Sequence, residues 1–78
     1  MAAQQFKVLI EWDSDDRVWV TYVPALNHLS TFGATRDDAL ENTTEAIIGY
    51  LEAAEKEGIA IPSGNREIEL VDVMVATS

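Results

Sequence analysis

A two-layer α+β sandwich in the order βββαβ follows from three observations on this chain of 78 residues. Residues 36–57 place apolar or small side chains at helical spacing. Four shorter stretches, 6–12, 17–23, 30–32 and 68–75, carry the alternation or the β-branched and aromatic content of strands. The punctuation between them (residues 13–16, Pro24, Gly33, Gly58 and 63–65) falls where the chain must turn. One helix covers one face of a sheet. A right-handed crossover brings the last strand parallel to the first, which predicts a four-stranded mixed sheet in the spatial order 3-2-1-4. The reverse face is then left to solvent or to a partner, and residues 1–78 read as one domain.

Residues 1–5 form a frayed lead-in. In the first strand, Phe6, Val8, Ile10 and Trp12 alternate with Lys7, Leu9 and Glu11, so one face is strongly apolar. Asp13, Ser14, Asp15 and Asp16 are turn formers, and the run RVWVTYV at 17–23 closes an antiparallel hairpin. A four-residue loop at 13–16 sets Trp12 opposite Arg17 and Ile10 opposite Trp19, and sends Leu9, Val18, Val20 and Tyr22 to the far face. A five-residue loop instead brings Val18, Val20 and Tyr22 to the core face, and it separates apolar from polar slightly better. Pro24 ends the second strand because it donates no ladder bond. Ser30, Thr31 and Phe32 form a short third strand stopped by Gly33.

The helix begins at a cap. Thr35 stands three residues before Asp38, so its hydroxyl can accept an early backbone N–H while the carboxylate reaches back to Thr35. Asp37 and Asp38 suit the positive end of the dipole, and Gly58 supplies the left-handed residue past the last turn. Ala39, Leu40, Thr43, Ala46, Ile47, Tyr50, Leu51 and Ala54 form one stripe. After an apolar exit at 59–62 and a turn at 63–65, the run IELVDVMV at 68–75 is the last strand. Val71, Val73 and Val75 share one side of it, and Leu70, Asp72 and Met74 share the other.

Composition narrows the function. Fourteen acids against five bases give a net charge of −9, and there are no cysteines. Such a surface repels polyphosphate, so direct nucleic-acid binding is not expected; a basic protein partner is electrostatically plausible, although charge alone reads more simply as keeping a small protein soluble. No thiolate metal site or disulfide can form. No signal peptide and no run long enough to span a bilayer is evident, which points to a cytoplasmic protein without a membrane role. A chain this short buries only roughly 60–65% of its unfolded surface, so pairing with another chain is expected to stabilise it.

Catalysis is not expected. Two-metal chemistry would draw on Glu11 or Asp13, Glu41 or Glu45, and Asp72, but these also read as turn, solvated-helix and outward strand residues. Asp13, Asp15 and Asp16 lack the glycine and distal glutamate of a calcium loop. His28, the lone histidine, sits in a loop without an activating partner. Trp12 beside Arg17 suggests a cation–π pair at the hairpin end. No cofactor is implied.

The run Tyr22-Val23-Pro24-Ala25-Leu26, then Ser30-Thr31-Phe32-Gly33-Ala34-Thr35, then Asp37-Asp38-Ala39-Leu40-Glu41-Asn42 and Glu45-Ala46-Ile47 resembles the HicB antitoxin family over roughly residues 5 to 62. The proline, the Gly-x-Thr cap and the Ala-Leu-x-Asn helix occur together at the family's distances. Asn27-His28-Leu29 stands where the family usually has Pro-Gly-Cys, Ala25 replaces an acid, and no DNA-binding segment follows before Ser78. The resemblance implies a partial ribonuclease H-like domain of a type II toxin–antitoxin pair. Such a domain neutralises a small basic mRNA-cleaving toxin (HicA-like) by covering its RNA-binding face. It also implies the four-residue loop, with Trp19, Thr21 and Val23 on the core face. The expected partner or dimer surface is therefore Leu9, Val18, Val20, Tyr22, Leu70 and Met74, with Asp13, Asp15 and Asp16 as acidic toxin-facing residues and homodimeric self-association. A homodimeric domain with another partner and no toxin is the alternative.

Overall fold

The computed structural model describes residues 4–61 and 67–76. In chain order these form strand β1 (Leu9–Asp13), strand β2 (Val18–Val23), a 3-10 turn (Pro24–Leu26), strand β3 (Leu29–Gly33) and helix α1 (Arg36–Glu57). The strands make a three-stranded antiparallel sheet in the order β1-β2-β3, and α1 lies across one of its faces.

The four-stranded order 3-2-1-4 is not what the chain adopts. Residues 68–75 make no ladder, and Leu70 and Met74 are 90% and 99% exposed. Alternation and β-branching measure how well a segment fits a pleated, half-buried surface; they do not supply the neighbouring strand whose N–H and C=O groups close a ladder. The root of this segment still lies near β1, since Leu70 borders a cavity with Leu9, Ile10 and Glu11. The turn expected at 63–65, and Pro62 before it, lie outside the described residues.

The hairpin has a four-residue loop, but it is 14–17 and not 13–16. Trp12 therefore pairs with Trp19, Ile10 with Thr21 and Leu9 with Tyr22. The shift from the expected register is two residues, so every side chain keeps its face. Two local facts explain the displacement. Asp13 stays in β1 while its Oδ1 accepts from the backbone N–H groups of Asp15 (3.0 Å) and Asp16 (3.2 Å). Arg17 takes the left-handed conformation that ends the loop, with φ 56°. The anticipated Trp12–Arg17 pair is replaced by a cross-strand contact between Trp12 and Trp19, with ring centroids 5.5 Å apart and planes inclined at 59°.

Helix α1 begins and ends where its caps require. Thr35 Oγ1 accepts from the Asp38 N–H at 3.0 Å, and Gly58 closes the other end at φ 68° with its N–H directed to the last-turn carbonyls. The return bond from the Asp38 carboxylate to Thr35 is not among those the described residues make. Ala39, Thr43 and Ala54 are buried and Leu40, Ala46, Ile47, Tyr50 and Leu51 half-buried, so the whole predicted stripe faces inward.

Helix and sheet meet at close range. A Cβ on Gly33 would lie 2.4 Å from the backbone nitrogen of Ala39, so only glycine permits this approach. Behind it, the hydroxyls of Thr21 on β2, Thr31 on β3 and Thr43 on α1 bond to one another. Thr31 lies 2.8 Å from Thr43 and 2.9 Å from Thr21, and Thr43 also donates to the Ala39 carbonyl at 2.7 Å. Thr21 and Thr43 are almost wholly buried, and this mutual bonding is what makes burying them tolerable. Val23, Ala25 and Leu26 complete the apolar centre.

Candidate protein-binding face

The helix covers the face that carries Thr21 and Thr31. By alternation, Leu9, Glu11 and Asp13 on β1, Val18, Val20 and Tyr22 on β2, and Ser30 and Phe32 on β3 share the other. The described segments lay no helix or strand over this face. Phe32 is 66% exposed, and Val20 pairs with it across the sheet.

Two shallow depressions shape this surface. One, of about 350 Å³, is lined by Val18, Val20, Ser30, Thr31 and Phe32 together with the acids Asp13 and Asp16. The other, of about 190 Å³, lies at the β1 edge and is bordered by Leu9, Ile10, Glu11, Tyr22 and Leu70. There the Tyr22 hydroxyl donates to Glu11 Oε1 at 3.2 Å. That bond, then desolvation, then the charges of Glu11 and Asp13 raise the phenol above its ordinary value of 10.0. An apolar floor with carboxylates at its edge suits a partner that presents apolar side chains flanked by lysine or arginine.

The expected surface residues divide among these places. Val18 and Val20 line the first depression; Leu9, Tyr22 and Leu70 line the second. Met74 joins neither and stands in solvent. Of the three acids, Asp13 and Asp16 reach the rim of the first depression, whereas Asp15 does not. Asp13 has a structural task as well, because its carboxylate organises the hairpin loop.

Sequence reasoning missed Phe32 and Ser30. The signal was present: once Thr31 faces inward, its neighbours in a strand must face outward. It also missed the threonine cluster, since three hydroxyls spread over 22 residues share no motif. Among the described residues no group of three or more histidine, cysteine, aspartate or glutamate side chains is placed to hold a metal ion. Glu41 and Glu45 are exposed on α1 and Asp72 is exposed in the tail, so they do not converge with Glu11 or Asp13 on one point. His28 is exposed and, like Asn27 before it, takes a left-handed backbone (φ 57° and 56°) to turn the chain into β3. Among the described residues no helix is long and apolar enough to cross a membrane.

Fold and surface together define a small α+β module with a bare, acid-rimmed sheet face. The chain is 40% identical over 63 residues to the UPF0150 protein Ta0767 of Thermoplasma acidophilum, a match covering 81% of this chain and 90% of that relative. It belongs to the UPF0150 family. No protein-family profile matches the chain, and no solved structure matches it.

Proposed function

We propose that this protein is a non-catalytic, HicB-like protein-binding domain. Its partner is a small, basic, mRNA-cleaving toxin whose RNA-binding face it covers. The observation that carries the reading is the open sheet face, where Val18, Val20 and Phe32 form an apolar floor beside Asp13 and Asp16. A net charge of −9 favours encounter with a basic partner and disfavours direct contact with RNA. Burial points the same way. Among the described residues five apolar side chains are buried while eleven large ones are exposed, more than an isolated domain ordinarily leaves in water. Membership of UPF0150 is compatible with this role.

The test is co-expression with a small basic protein encoded beside this one, followed by an mRNA-cleavage assay. Co-purification, with cleavage suppressed at equimolar antitoxin, is the expected result. Undiminished cleavage at large excess overturns the reading. A second reading, a homodimeric HicB-like domain without a toxin, is favoured by one observation: Val71, Val73 and Val75 are 63%, 77% and 70% exposed.

A further inference from the structure

The depression at Val18 and Val20 combines two chemistries along one track. Val18 pairs with Asp13 at the hairpin end of the sheet. Val20, two residues further and roughly 7 Å along the strand, pairs with the exposed Phe32. The acids Asp13 and Asp16 thus stand toward one end of an apolar floor walled by an aromatic ring. An occupant that matches the whole track is apolar along its length and cationic at its tip. Among protein side chains only lysine and arginine answer that description, since both lay a hydrocarbon stem on apolar surface and hold the charge beyond it.

The bases among the described residues do not fill this place. Arg17 stands in the hairpin loop but does not border the depression. Arg36 and Lys56 belong to α1, which covers the opposite face. Lys7 precedes β1, away from the loop, and borders a different recess with Glu67 and Glu69. A second copy would bring a further net charge of −9 to the same acids, so charge complementarity selects a basic partner instead.

Between the two cations the site favours arginine. A guanidinium is less strongly hydrated than an ammonium, so it loses less on entering a place floored by valines and walled by phenylalanine. Its planar fork also reaches carboxylate oxygens in pairs, whereas an ammonium acts as a point charge. One acceptor is set in advance, because Asp13 Oδ1 is held by the N–H groups of Asp15 and Asp16. We propose that this depression is the seat of one arginine side chain carried by the basic partner. Its stem lies along Val18 and Val20 against Phe32, and its head meets Asp16 and Asp13. The inference rests on the proposed basic partner, but its test needs no toxin.

The test titrates the ¹⁵N-labelled full chain with N-acetyl-arginine N-methylamide and follows the amide signals. The lysine analogue and the citrulline analogue, which keeps arginine's shape without its charge, serve as comparisons. The expected result is saturable shifts centred on Val18, Val20 and Phe32, tighter for arginine than for lysine and absent for citrulline. Asp16→Asn, whose side chain is exposed, should weaken binding roughly two- to fivefold, the range of an exposed ion pair. Phe32→Ala should weaken it as well, whereas Glu52→Gln, exposed on the helix, should leave it unchanged. Shifts spread evenly over the acidic surface, equal binding of citrulline, or indifference to both Asp16→Asn and Phe32→Ala overturns the proposal. Arginine seated here without suppression of a co-expressed toxin supports this inference and removes the toxin alone. Suppression with no arginine seat removes this inference alone.

Discussion

Gly33 and Ala39 lie so close that a methyl group on the glycine would sit 2.4 Å from the Ala39 nitrogen and 2.8 Å from its Cα. The obstacle is helix backbone, which cannot rotate aside as a side chain can. Gly33→Ala must therefore lift the first turn of α1 from β3. Overpacking of this kind costs about 1–3 kcal/mol, and the rigid neighbour places this case at the upper end. Chemical denaturation should show that loss, whereas Gly49→Ala, where an added Cβ meets nothing within 4 Å, should gain stability as a mid-helix glycine replacement.

The threonine cluster makes a second prediction. Thr43→Val preserves shape but takes a hydrogen-bond partner from both Thr21 and Thr31. Leaving buried hydroxyls short of partners costs about 1–3 kcal/mol. Thr21→Val and Thr43→Val together should cost less than the sum of the two, because each single replacement breaks the same Thr21–Thr43 bond and the double replacement loses it only once. A double-mutant cycle by urea denaturation measures this, and strict additivity would mean the hydroxyls do not act as one unit.

Arg17 holds a left-handed backbone, φ 56°, at the end of the hairpin loop. Such a conformation costs a residue with a Cβ about 1–2 kcal/mol, part of which glycine gives back through its greater freedom when unfolded. Arg17→Gly should therefore raise stability by about 0.5–1 kcal/mol, read as a higher denaturation midpoint with an unchanged slope.

Tyr22 provides a pH signature of the open face. Its phenol is raised by Glu11, so the folded state holds this proton more tightly than the unfolded chain does. The associated stabilisation is complete below the unfolded value near 10 and is lost as pH rises through the folded one. In a Tyr50→Phe background, phenolate absorbance should show Tyr22 titrating above 10, and Glu11→Gln should bring its midpoint back down.

Much of this architecture was legible in the residues, and the limits have physical causes. The helix could be bounded at both ends because Thr35 and Gly58 act locally, within a few residues of the groups they cap. The faces of the hairpin were also readable, since alternation fixes them under any even shift of register. The loop position was not, because nothing about an arginine announces a positive φ. The last strand was misplaced because its pattern declares what it can pair with and not where the partner lies. The site shows the same division. Val18 and Val20 follow from alternation within one strand, while the depression that joins them to Asp13, Asp16 and Phe32 exists only once three strands are side by side.

Under the proposed function, the bare sheet face, and not the helix, is where a toxin would dock. This placement is tested most directly by comparing Val20→Arg with Ile48→Arg for suppression of mRNA cleavage by the co-expressed toxin. Val20 lies in the acid-rimmed depression, and Ile48 is half exposed on the helix side. The account predicts that Val20→Arg abolishes suppression while remaining folded, and that Ile48→Arg suppresses cleavage like the wild type. Full suppression by Val20→Arg, with loss at Ile48→Arg, would contradict it.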